Sequence, residues 1–544
     1  MRISCIVPPG CPFISLPRER DLKPAHFIGL CLLLLAGLHG CAGIDIDRAA
    51  QRPASHAIPQ DTPSRLQELA RTLSADHPGE SGFVLLDSGL DALAARLWLA
   101  EKAEKTLDVQ SYIFHADKTG ALVAEALLKA ADRGVRVRML LDDIYTYKHE
   151  ADIMALYSHP NIEIRLFNPF HYRGGNPLLR LGQFLSDQRL NRRMHNKLFA
   201  ADNQFAITGG RNIGDEYFEA HRDFSFVDLD ALAAGAIVAH LSHSFDDYWN
   251  SEAAVPASAL PVAPDDARLL RATRYLADFR ARRLDSDYGR ALTAADPVPG
   301  LLAGTRRWLL AHADLIVDPP SKAMHPHHAP SDLLIGQLAG LWITPERRAL
   351  IVSPYFVPGA MGMAYFRYWR HQGVQIDVLT NAYAASDVPV VHAGYANYRE
   401  ALLETGVGLY ELKPVAEPRG GRLRDLGSGS SRASLHAKAF VFDDAHVFIG
   451  SFNFDPRSVH LNTEMGLVIR SPELARQLTA IAEDAMRPER SYRPRLEGEG
   501  ADRRLVWHDV HRDAPRISKL EPETTPLQRG LLRLLRALPI EQHL

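Results

Sequence analysis

The fold of this protein is decided by the stretch HAKAFVFDDAHVFIGSFNFDPRS, which runs from His436 to Ser458. The pattern of its first part predicts a β-strand that ends beside a turn at Asp443. His436 and Lys438 stand two positions apart in this strand, and residues i and i+2 of a strand share one face. A buried strand face has no need of two protonatable groups. This face is therefore either open to water or part of a functional site.

An earlier stretch, HNKLFAADNQFAITGGRNIGDEYF, repeats the same order from His195. Both stretches have lysine at +2, aspartate at +7, glycine at +14, asparagine at +17 and a carboxylate at +28. The matched residues are His195, Lys197, Asp202, Gly209, Asn212 and Asp223 in the first stretch, and His436, Lys438, Asp443, Gly450, Asn453 and Glu464 in the second. Similar strand and helix patterns precede both motifs, so the chain is an internal duplication.

Short apolar strands alternate with amphipathic helices in both halves, which predicts the α/β fold class with helices on both faces of each sheet. The chain has 544 residues and is 46% apolar, enough for two such units. We expect them to be related by a pseudo-two-fold axis, with the site between them. The predicted segments are a signal segment (1–41), a polar tether (42–80), unit 1 (81–260), a connector (261–310), unit 2 (311–490) and a C-terminal tail with an amphipathic helix (491–544).

The motif residues favour a phosphorus centre. A lysine ammonium beside an imidazole, with an asparagine amide and backbone N–H groups at a glycine turn, suits the non-bridging oxygens of a phosphate. We expect Asn212, Asn453 and Ser451 to bind these oxygens. The first motif has Gly210 where the second has Ser451, so one hydroxyl contact is missing from that half.

Two kinds of carboxylate accompany the histidines. Asp223 and Glu464, at +28, are predicted to accept the other ring N–H of their own histidine, which fixes its tautomer. Asp202 and Asp443 belong to the repeated catalytic motif but stand beside a turn. We expect them to bond turn amides rather than touch substrate.

Paired H-x-K-x4-D segments followed by G-[GS]-x-N resemble the phospholipase D superfamily, and the resemblance covers roughly residues 80 to 490. It implies two α/β sandwich units with one active site between them, and a reaction through a phosphohistidine without metal or other cofactor. It implies His195 as the nucleophile and His436 as the general acid, although the sequence alone does not order the pair.

Within the superfamily, the segments RLNRRMHNKLFAADNQFAITGGRNIGDEYF and GSFNFDPRSVHLNTEMGLVI look most like bacterial cardiolipin synthases of the C type. This resemblance implies membrane phospholipids as partners. A phosphatidyl group would pass from phosphatidylethanolamine or phosphatidylglycerol to the hydroxyl of phosphatidylglycerol. The oligomeric state stays open.

Three other functions share these residues. A phospholipase D that hydrolyses phospholipids to phosphatidic acid would need the same catalytic groups. A nuclease of the superfamily is disfavoured by the net charge of −3 and the pI near 6.8, so no nucleic-acid partner is expected. A catalytically silent lipid-binding scaffold is disfavoured because both histidines and both lysines are intact.

The first 41 residues contain all four cysteines, so disulfides and cysteine metal sites are excluded from the folded body. A charged segment, the apolar run from Phe27 to Leu38 and the sequence LHGC predict a lipoprotein-type export signal with acylation of Cys41. The alternatives are an uncleaved membrane anchor or a buried helix. We expect a membrane-attached protein of the bacterial cell envelope.

Three further segments are compatible with a lipid surface. An insertion before the first motif (167–194) mixes phenylalanine and leucine with arginines, which would suit a lipid surface. The alternative is an ordinary surface loop with a basic helix. A glycine-rich basic segment before the second motif is a flap over the site or a plain loop. The C-terminal helix, with Arg529, Arg533 and Arg536 on one face, lies in a membrane interface or docks on the protein's own core. His325–His328, within a proline-rich connector, is interpreted as a loop rather than a metal site.

Overall fold

The computed structural model describes residues 43–541 except for 147–148, 222, 296, 303–305, 342–343, 415–431, 512–513 and 540. The described residues form two large sheets, one in each unit, and a small two-stranded sheet. The duplicated α/β architecture predicted from the sequence is confirmed.

Sheet 1 is built mainly from unit 1 and has nine strands. They are β1 (Ser81–Leu86), β2 (Thr106–Ser111), β3 (Arg136–Asp142), β4 (Ile162–Phe167), β5 (Leu198–Ala201), β6 (Phe205–Gly209), β8 (Asp230–Gly235), β9 (Ala254–Pro256) and β10 (Leu309–Ala311), with β7 (Phe224–Val227) in the small sheet. The accompanying helices are α1 (Ile46–Ala50), α2 (Arg65–Ser74), α3 (Gly89–Lys102), α4 (Lys118–Asp132), α5 (Glu150–Tyr157), α6 (Pro177–Ser186), α7 (Ala236–Trp249), α8 (Asp266–Leu284), α9 (Asp287–Ala294) and α10 (Pro297–Leu302).

Sheet 2 belongs to unit 2 and has ten strands. They are β11 (Ala313–Val317), β12 (Arg348–Val352), β13 (Gln375–Asn381), β14 (Gly408–Leu412), β16 (Ala439–Phe442), β17 (His446–Gly450), β18 (Met465–Arg470), β19 (Ser491–Glu497), β20 (Arg504–His511) and β21 (Ala514–Ser518), with β15 (Arg432–Leu435) in the small sheet. The helices are α11 (Leu334–Gly340), α12 (Gly359–His371), α13 (Pro389–Thr405), α14 (Pro456–His460), α15 (Pro472–Ala485) and α16 (Pro526–Arg536).

The two sheets have the same strand order over their central parts. The order β8-β6-β5-β2-β3-β4 in sheet 1 matches β18-β17-β16-β12-β13-β14 in sheet 2. In each unit the last three strands of this order pair in parallel and the others in antiparallel fashion. The duplication seen in the sequence is thus a duplication of topology.

Each motif forms a β-hairpin whose turn is set by left-handed residues. In the β5–β6 hairpin these are Asp202 (φ 51°) and Asn203 (φ 52°), and in the β16–β17 hairpin Asp443 (φ 53°) and Asp444 (φ 55°). Aspartate and asparagine tolerate this region better than other non-glycine residues, and two consecutive positive φ angles match the twist of a hairpin. The turns therefore fix where each motif ends.

One hydrophobic core is shared by the units. It contains β-strand residues of both sheets together with the inner helices α7 and α15. Two outer cores lie on the far faces of the sheets, one under α3 and α4 of unit 1 and the other under α12 and α13 of unit 2. The facing surfaces of the two sheets are consequently buried against each other.

The segments outside the two units differ from the predicted tether, connector and tail. Leu66, in the predicted tether, is fully buried in the core of unit 1. The predicted connector supplies Leu292 and Leu301 to the same core, and strand β10 extends sheet 1. Strands β19–β21 extend sheet 2 beyond β14. Apolar residues in these polar stretches have a neighbouring core to pack against, which composition alone does not reveal.

Among the described residues, no helix has both the length and the apolarity needed to span a bilayer.

Candidate active site

The two motif histidines lie at the junction of the units, and each is held by the other unit. The backbone N–H of His195 donates to Thr463 O of unit 2 at 2.9 Å, and that of His436 donates to Val227 O of unit 1 at 2.8 Å. Both imidazoles are buried. His195 Nδ1 also lies 3.1 Å from the backbone O of Ser451, the residue after the motif glycine of unit 2. The fold thus brings the two half-sites together.

The carboxylate partners of the histidines are crossed between the units. His195 Nδ1 lies 2.9 Å from Glu464 Oε2, and His436 Nδ1 lies 2.6 Å from Asp228 Oδ2. The prediction that each carboxylate serves its own histidine is wrong for Glu464. It is also wrong for Asp223, which is exposed and whose backbone O accepts from Arg432 N. Because Nδ1 is used in both pairs, Nε2 is the remaining nitrogen of each ring.

An insertion explains why counting residues selects Asp223. The register pairs Gly209 with Asp230 and Gly450 with Gly466, so the structural equivalent of Glu464 is Asp228. Unit 1 has five more residues than unit 2 before this position. In this region lies β7, which pairs in parallel with β15 of unit 2. The spacing in the sequence is therefore not conserved, although the geometry is.

In each unit, the residue after the motif glycine lies against the carboxylate that orients a histidine. These residues are Ser451 beside Glu464 and Gly210 beside Asp228. In unit 2, Ser451 Oγ donates to Glu464 Oε2 at 2.5 Å. The hydroxyl therefore supports the carboxylate, whereas the sequence predicted that it would bind a phosphate oxygen. In unit 1, a Cβ on Gly210 would lie 2.0 Å from Asp228 Oδ1. Glycine is required there because the aspartate occupies the space that the serine side chain fills in the other half.

Both motif lysines are buried beside the histidines. Lys197 Nζ donates to His195 O at 2.6 Å, and Lys438 Nζ donates to His436 O at 2.5 Å. Burial lowers the pKa of Lys197 to about 7 and that of Lys438 to about 8, against the attraction of nearby carboxylates such as Glu464. An anion between the units would restore their charge, so the site is suited to a phosphate.

The two histidine–carboxylate pairs differ in their electrostatics. Burial, with Lys197 and other cations, lowers the pKa of His195 well below its ordinary value, and burial raises the pKa of Glu464 to about 7. In the other pair, burial also lowers the pKa of His436, but Asp228 opposes the shift. Burial would raise the pKa of Asp228, yet His436, Lys438 and Arg211 lower it. The His436–Asp228 pair is thus the one better able to hold an imidazolium.

The motif asparagines have different surroundings. Asn212 Oδ1 accepts from Ile113 N at 3.2 Å and its Nδ2 donates to Tyr217 Oη at 2.9 Å, so its amide is engaged within unit 1. Asn453 Oδ1 is buried and has no hydrogen-bond partner among the described residues. An amide oxygen accepts and cannot donate to a phosphate oxygen, so phosphate binding by either asparagine stays a prediction that would use the Nδ2 group.

The motif aspartates anchor loops at the opposite end of their strands. Asp202 accepts from the backbone amides of Glu104, Lys105 and Thr106 at the start of β2. Asp443 accepts from the amides of residues 346–348 at the start of β12. Both tie the motif hairpin to the neighbouring strand, and these backbone bonds lower the pKa of Asp443 despite partial burial.

Two positioning residues were missed by sequence reasoning. Asp142 Oδ2 accepts from Met194 N at 2.8 Å, and Asn381 Oδ1 accepts from Leu435 N at 2.8 Å. Asp142 and Asn381 are the last residues of β3 and β13, so they are equivalent, and each fixes the residue before a motif histidine. The signal was a polar residue ending an apolar strand at the same place in both units.

Most arginines of the insertion before the first motif are not free to bind a headgroup. Arg193 pairs with Asp142 at 2.7 Å and Arg173 with Asp143 at 2.6 Å, and both guanidinium groups are buried. Arg189 donates to Asn168. The apolar half of the prediction is compatible with the structure, since α6 exposes several large side chains, namely Leu178, Leu179, Leu181, Phe184 and Leu185.

Aromatic rings and carboxylates border the histidines. The ring of Tyr112 packs edge-on against His195 at 5.1 Å and that of Tyr217 against His436 at 5.2 Å. Tyr145 contacts Tyr112 and His115. Burial and the carboxylates of residues 387, 142 and 216 raise the pKa of Tyr145. We call this border, with Asp117, Glu216, Asp387 and these tyrosines, the acidic rim.

Part of the acidic rim has the donor atoms of a cation site. Among the described residues, His115, Asp117 and Glu216 have ligand atoms within 4.8 Å of one another. Asp117 also caps α4 by accepting from Gly120 N, and accepts from Asp215 N. Asp117 therefore already has a structural role, and its position is explained by these two hydrogen bonds.

Comparison with solved structures supports the two-unit fold. The crystal structure of phosphatidylserine synthase from Haemophilus influenzae Rd KW20 superposes with a TM-score of 0.54 over 88% of this chain and 100% of that chain, at 13% sequence identity. A duplicated α/β fold with one buried histidine–lysine pair from each unit defines the phospholipase D-like class of protein.

Sequence comparison gives the family within that class. The family model described as "Cardiolipin synthase, PLD-like domain" matches residues 98–249 and 344–486, more than half of the chain. Cardiolipin synthase C of Escherichia coli (strain K12) is 43% identical over 478 residues, covering 88% of this chain and 99% of that protein. An uncharacterized protein of Helicobacter pylori (strain J99) is 31% identical over 508 residues, covering 89% and 95%. The chain belongs to the cardiolipin synthase family of PLD-like proteins.

Some predictions fall outside the described residues. These are the signal segment and Cys41, and most of the glycine-rich segment before the second motif. The C-terminal helix is described. Leu532 of α16 packs with Tyr383 and Ala393, while Leu527, Leu531, Leu534 and Leu538 remain exposed. The helix docks on unit 2 through Leu532 and Leu535 and leaves Leu527, Leu531 and Leu534 exposed.

Proposed function

We propose that this protein makes cardiolipin by moving a phosphatidyl group from a phospholipid donor to phosphatidylglycerol through a phosphohistidine. The supporting observation is the pair of buried histidines, each oriented by a carboxylate of the other unit, with two buried lysines beside them. The 43% identity to a cardiolipin synthase supports the choice of reaction. Such an enzyme acts on membrane phospholipids and is associated with a bacterial membrane.

In the first step, His195 Nε2 attacks the phosphorus of the donor. The new N–P bond forms as the bond to the headgroup oxygen breaks, and His436 gives its proton to that oxygen. Lys197 and Lys438 neutralise the charge on the non-bridging oxygens. Glu464 stabilises the charge that develops on the ring of His195.

In the second step, the free hydroxyl of phosphatidylglycerol attacks the phosphorus. His436, now neutral, accepts the hydroxyl proton as the O–P bond forms, and the N–P bond to His195 breaks. Cardiolipin leaves with both histidines in their starting state. General acid–base catalysis of this kind contributes about 10²–10⁴ in rate.

The electrostatics favour His195 as the nucleophile. Its pKa lies well below the ordinary value, so the ring is neutral and its Nε2 lone pair is available. Burial and Lys438 also lower the pKa of His436, but Asp228 opposes that shift. The pKa of Asp228 itself is lowered, so its charged carboxylate stabilises the protonated ring that a general acid needs.

The acidic rim favours phosphatidylethanolamine over phosphatidylglycerol as the donor. Asp387 opposes the lowering of the pKa of both His436 and Lys438, which burial causes, so its charge reaches the leaving-group side of the site. Tyr355 Oη donates to Asp387 Oδ2 at 2.7 Å and orients it. Carboxylates and aromatic faces attract an ammonium group, whereas the neutral glycerol headgroup gains nothing from them.

The function is tested by incubating the purified protein with phosphatidylglycerol, with and without phosphatidylethanolamine, and identifying the products by mass spectrometry. Cardiolipin is expected in both mixtures, with more when phosphatidylethanolamine is present. Radiolabelled donor should leave label on the wild-type protein but not on a His195→Ala variant. Phosphatidic acid as the sole product would instead indicate the hydrolase, and equal yields from both mixtures would remove the donor assignment.

Attachment to the membrane through Cys41 is part of the same proposal. The apolar run followed by LHGC, and the position of Cys41 ahead of the folded body, support it. Mass spectrometry of the protein purified from membranes is expected to give an acylated N-terminal cysteine. Wild-type protein that keeps its leader and carries no acyl group on Cys41 would favour an uncleaved anchor instead.

A further inference from the structure

An apolar groove lies beside the active site on unit 2. Its volume is about 520 Å³, which is within the usual range for small-ligand sites. It is lined by residues 357–362 and Tyr365 at the start of α12, by six residues between Phe452 and His460, by Ile335, and by Pro539 and Glu541 after α16. We call it the α12 groove.

The α12 groove is continuous with the catalytic residues along the chain. Phe452 directly follows Ser451, whose hydroxyl bonds Glu464, the partner of His195. Ser458, within the segment that forms one wall, donates from Oγ to Glu464 Oε1 at 3.0 Å. Asp455, which lines the groove, accepts from Ser458 N at 2.7 Å. One residue, Ser458, therefore connects the groove lining to the carboxylate that orients His195.

The groove also opens at the edge of the sheet where the site lies. Val357 and Pro358 follow strand β12, and Tyr355, between them and the strand, bonds Asp387 of the acidic rim. In α/β sheets, ligands bind outside the carboxyl ends of the parallel strands. A molecule whose phosphate sits at the histidines thus has the α12 groove within reach on the same edge.

The lining is suited to hydrocarbon rather than to a polar group. Its walls are formed largely by Val357, Phe452, Phe454, Val459 and Ile335. Asp455 is a buried acid in the lining, and burial together with the charge of Glu464 raises its pKa to about 7. Near neutral pH this carboxyl is partly uncharged, which reduces the cost of placing an apolar chain beside it.

The outer end of the groove is surrounded by apolar surface. Met361 and Tyr365 of α12 are about half exposed, at 53% and 51%. Pro539 and Glu541, just beyond α16, close the far side, and α16 itself exposes leucines together with Arg533. Leucine and arginine side chains on one exposed helix are complementary to an anionic lipid surface. A chain leaving the groove would enter such a surface.

We propose that the α12 groove binds one acyl chain of the phospholipid whose phosphate is held between His195 and His436. This inference rests on the proposed lipid substrate and adds the site that selects for long acyl chains. Burial of methylene groups in the groove would give binding energy remote from the reacting phosphorus. Long-chain lipids are therefore better substrates than short-chain ones with the same headgroup.

A matched pair of variants on α12 tests the proposal. Ala360 lines the groove and is exposed, so Ala360→Trp fills the groove without disturbing the core. Ala364, one turn further along, is also exposed but does not line the groove, so Ala364→Trp is the control. Each variant is assayed with dihexanoyl and dioleoyl phospholipids in mixed micelles, and kcat/KM is compared.

The expected result is a selective loss. Ala360→Trp should lower kcat/KM for the dioleoyl substrates by about tenfold or more and leave the dihexanoyl value unchanged, since a few buried methylenes account for such a factor. Ala364→Trp should match the wild type with both. Equal loss on both chain lengths, or no loss on either, would overturn the proposal.

A binding experiment separates this proposal from the proposed function. A phosphatidylglycerol with a diazirine at the end of one acyl chain is photolysed with wild-type protein and with Ala360→Trp. Label is expected on peptides covering 357–365 and 452–460 of the wild type and should fall in the variant. If the protein makes no cardiolipin but is labelled there, the function fails and the groove assignment stands. Label spread elsewhere refutes the groove.

Discussion

At the scale of single residues, the crossed carboxylates are the feature with the most direct consequences. His195 depends on Glu464 of unit 2, and His436 depends on Asp228 of unit 1. Repeated spacing pointed to Asp223 because counting assumes that both copies kept the same loop length. In the structure the carboxylate is that of Asp228, five positions after Asp223. Variants of these two aspartates can therefore be compared directly.

Asp228→Asn is expected to lower turnover by about 10²-fold or more, because a neutral amide cannot stabilise the protonated ring of His436. Asp223→Asn should stay close to the wild type, since the exposed carboxyl of Asp223 takes no part in the site. The measurement is the initial rate of cardiolipin formation for both proteins. Equal rates for the two variants would contradict the crossed arrangement.

The lysines give a pH dependence of anion binding. A lysine is charged below its pKa, and burial brings the pKa of Lys197 to about 7 and that of Lys438 to about 8. Affinity for an anion is therefore highest at low pH and falls as the pH rises through these values. Inhibition by tungstate, a phosphate mimic, should weaken steadily over this range and continue to weaken above pH 8.

A Lys438→Arg variant provides the control for that measurement, because a guanidinium group stays charged throughout. Its inhibition constant should change less with pH than that of the wild type. An inhibition constant for wild-type protein that is flat from pH 7 to pH 8 would show that the lysines stay fully charged in the free enzyme.

At the scale of elements, α13 connects the C-terminal segment to unit 2 through a buried charge cluster. Arg399 Nε lies 2.8 Å from Glu411 Oε1, and its terminal nitrogens donate to both oxygens of Glu521 at 2.9 and 3.0 Å. Tyr395 and Trp507 donate to Glu411. Strands β19–β21 and helix α16 are thereby fixed to the unit instead of forming a separate tail.

Arg399→Met is expected to lower the free energy of unfolding by about 3–5 kcal/mol, because two buried carboxylates lose their cation. Arg503→Met, which breaks the exposed pair with Glu404, should cost less than about 1 kcal/mol. Urea denaturation followed by circular dichroism measures both. Similar values for the two variants would mean that the cluster does not stabilise the fold.

The elements also indicate which parts of the fold sequence reasoning reaches. The duplication and the motif strands that end at a turn follow from patterns that occur twice, as with His195 to Asn212 and His436 to Asn453. The strand order comes from the structure. Burial of Leu66 and Leu292 does not follow, because a few apolar residues in a polar stretch look the same whether or not a core is nearby. Asp142 and Asn381 were missed for a related reason, since their role depends on a backbone amide far along the chain.

At the scale of the whole molecule, the shared core makes the two units one folding body. Residues such as Leu241 of α7 pack in the same cluster as Leu467 of β18. Separating the units would expose the facing surfaces of both sheets to water. The site between the units is therefore held by hydrophobic burial over the whole interface rather than by the polar contacts at the histidines.

One calorimetric unfolding transition is expected for the full chain, with loss of activity at the same temperature. Leu241→Ala should lower the midpoint of that single transition, by an amount that corresponds to about 2–5 kcal/mol for a buried leucine. It should not split the transition. Two separate transitions in the wild-type protein would show that the units unfold independently.

The crossed pairs also bear on how such a protein can change over generations. In a dimer of identical subunits, a two-fold axis makes the two halves of the site identical. In a single polypeptide the halves can differ, and here Ser451 with Glu464 on one side faces Gly210 with Asp228 on the other. In the proposed mechanism, joining the copies lets one histidine specialise in attack and its counterpart in proton transfer.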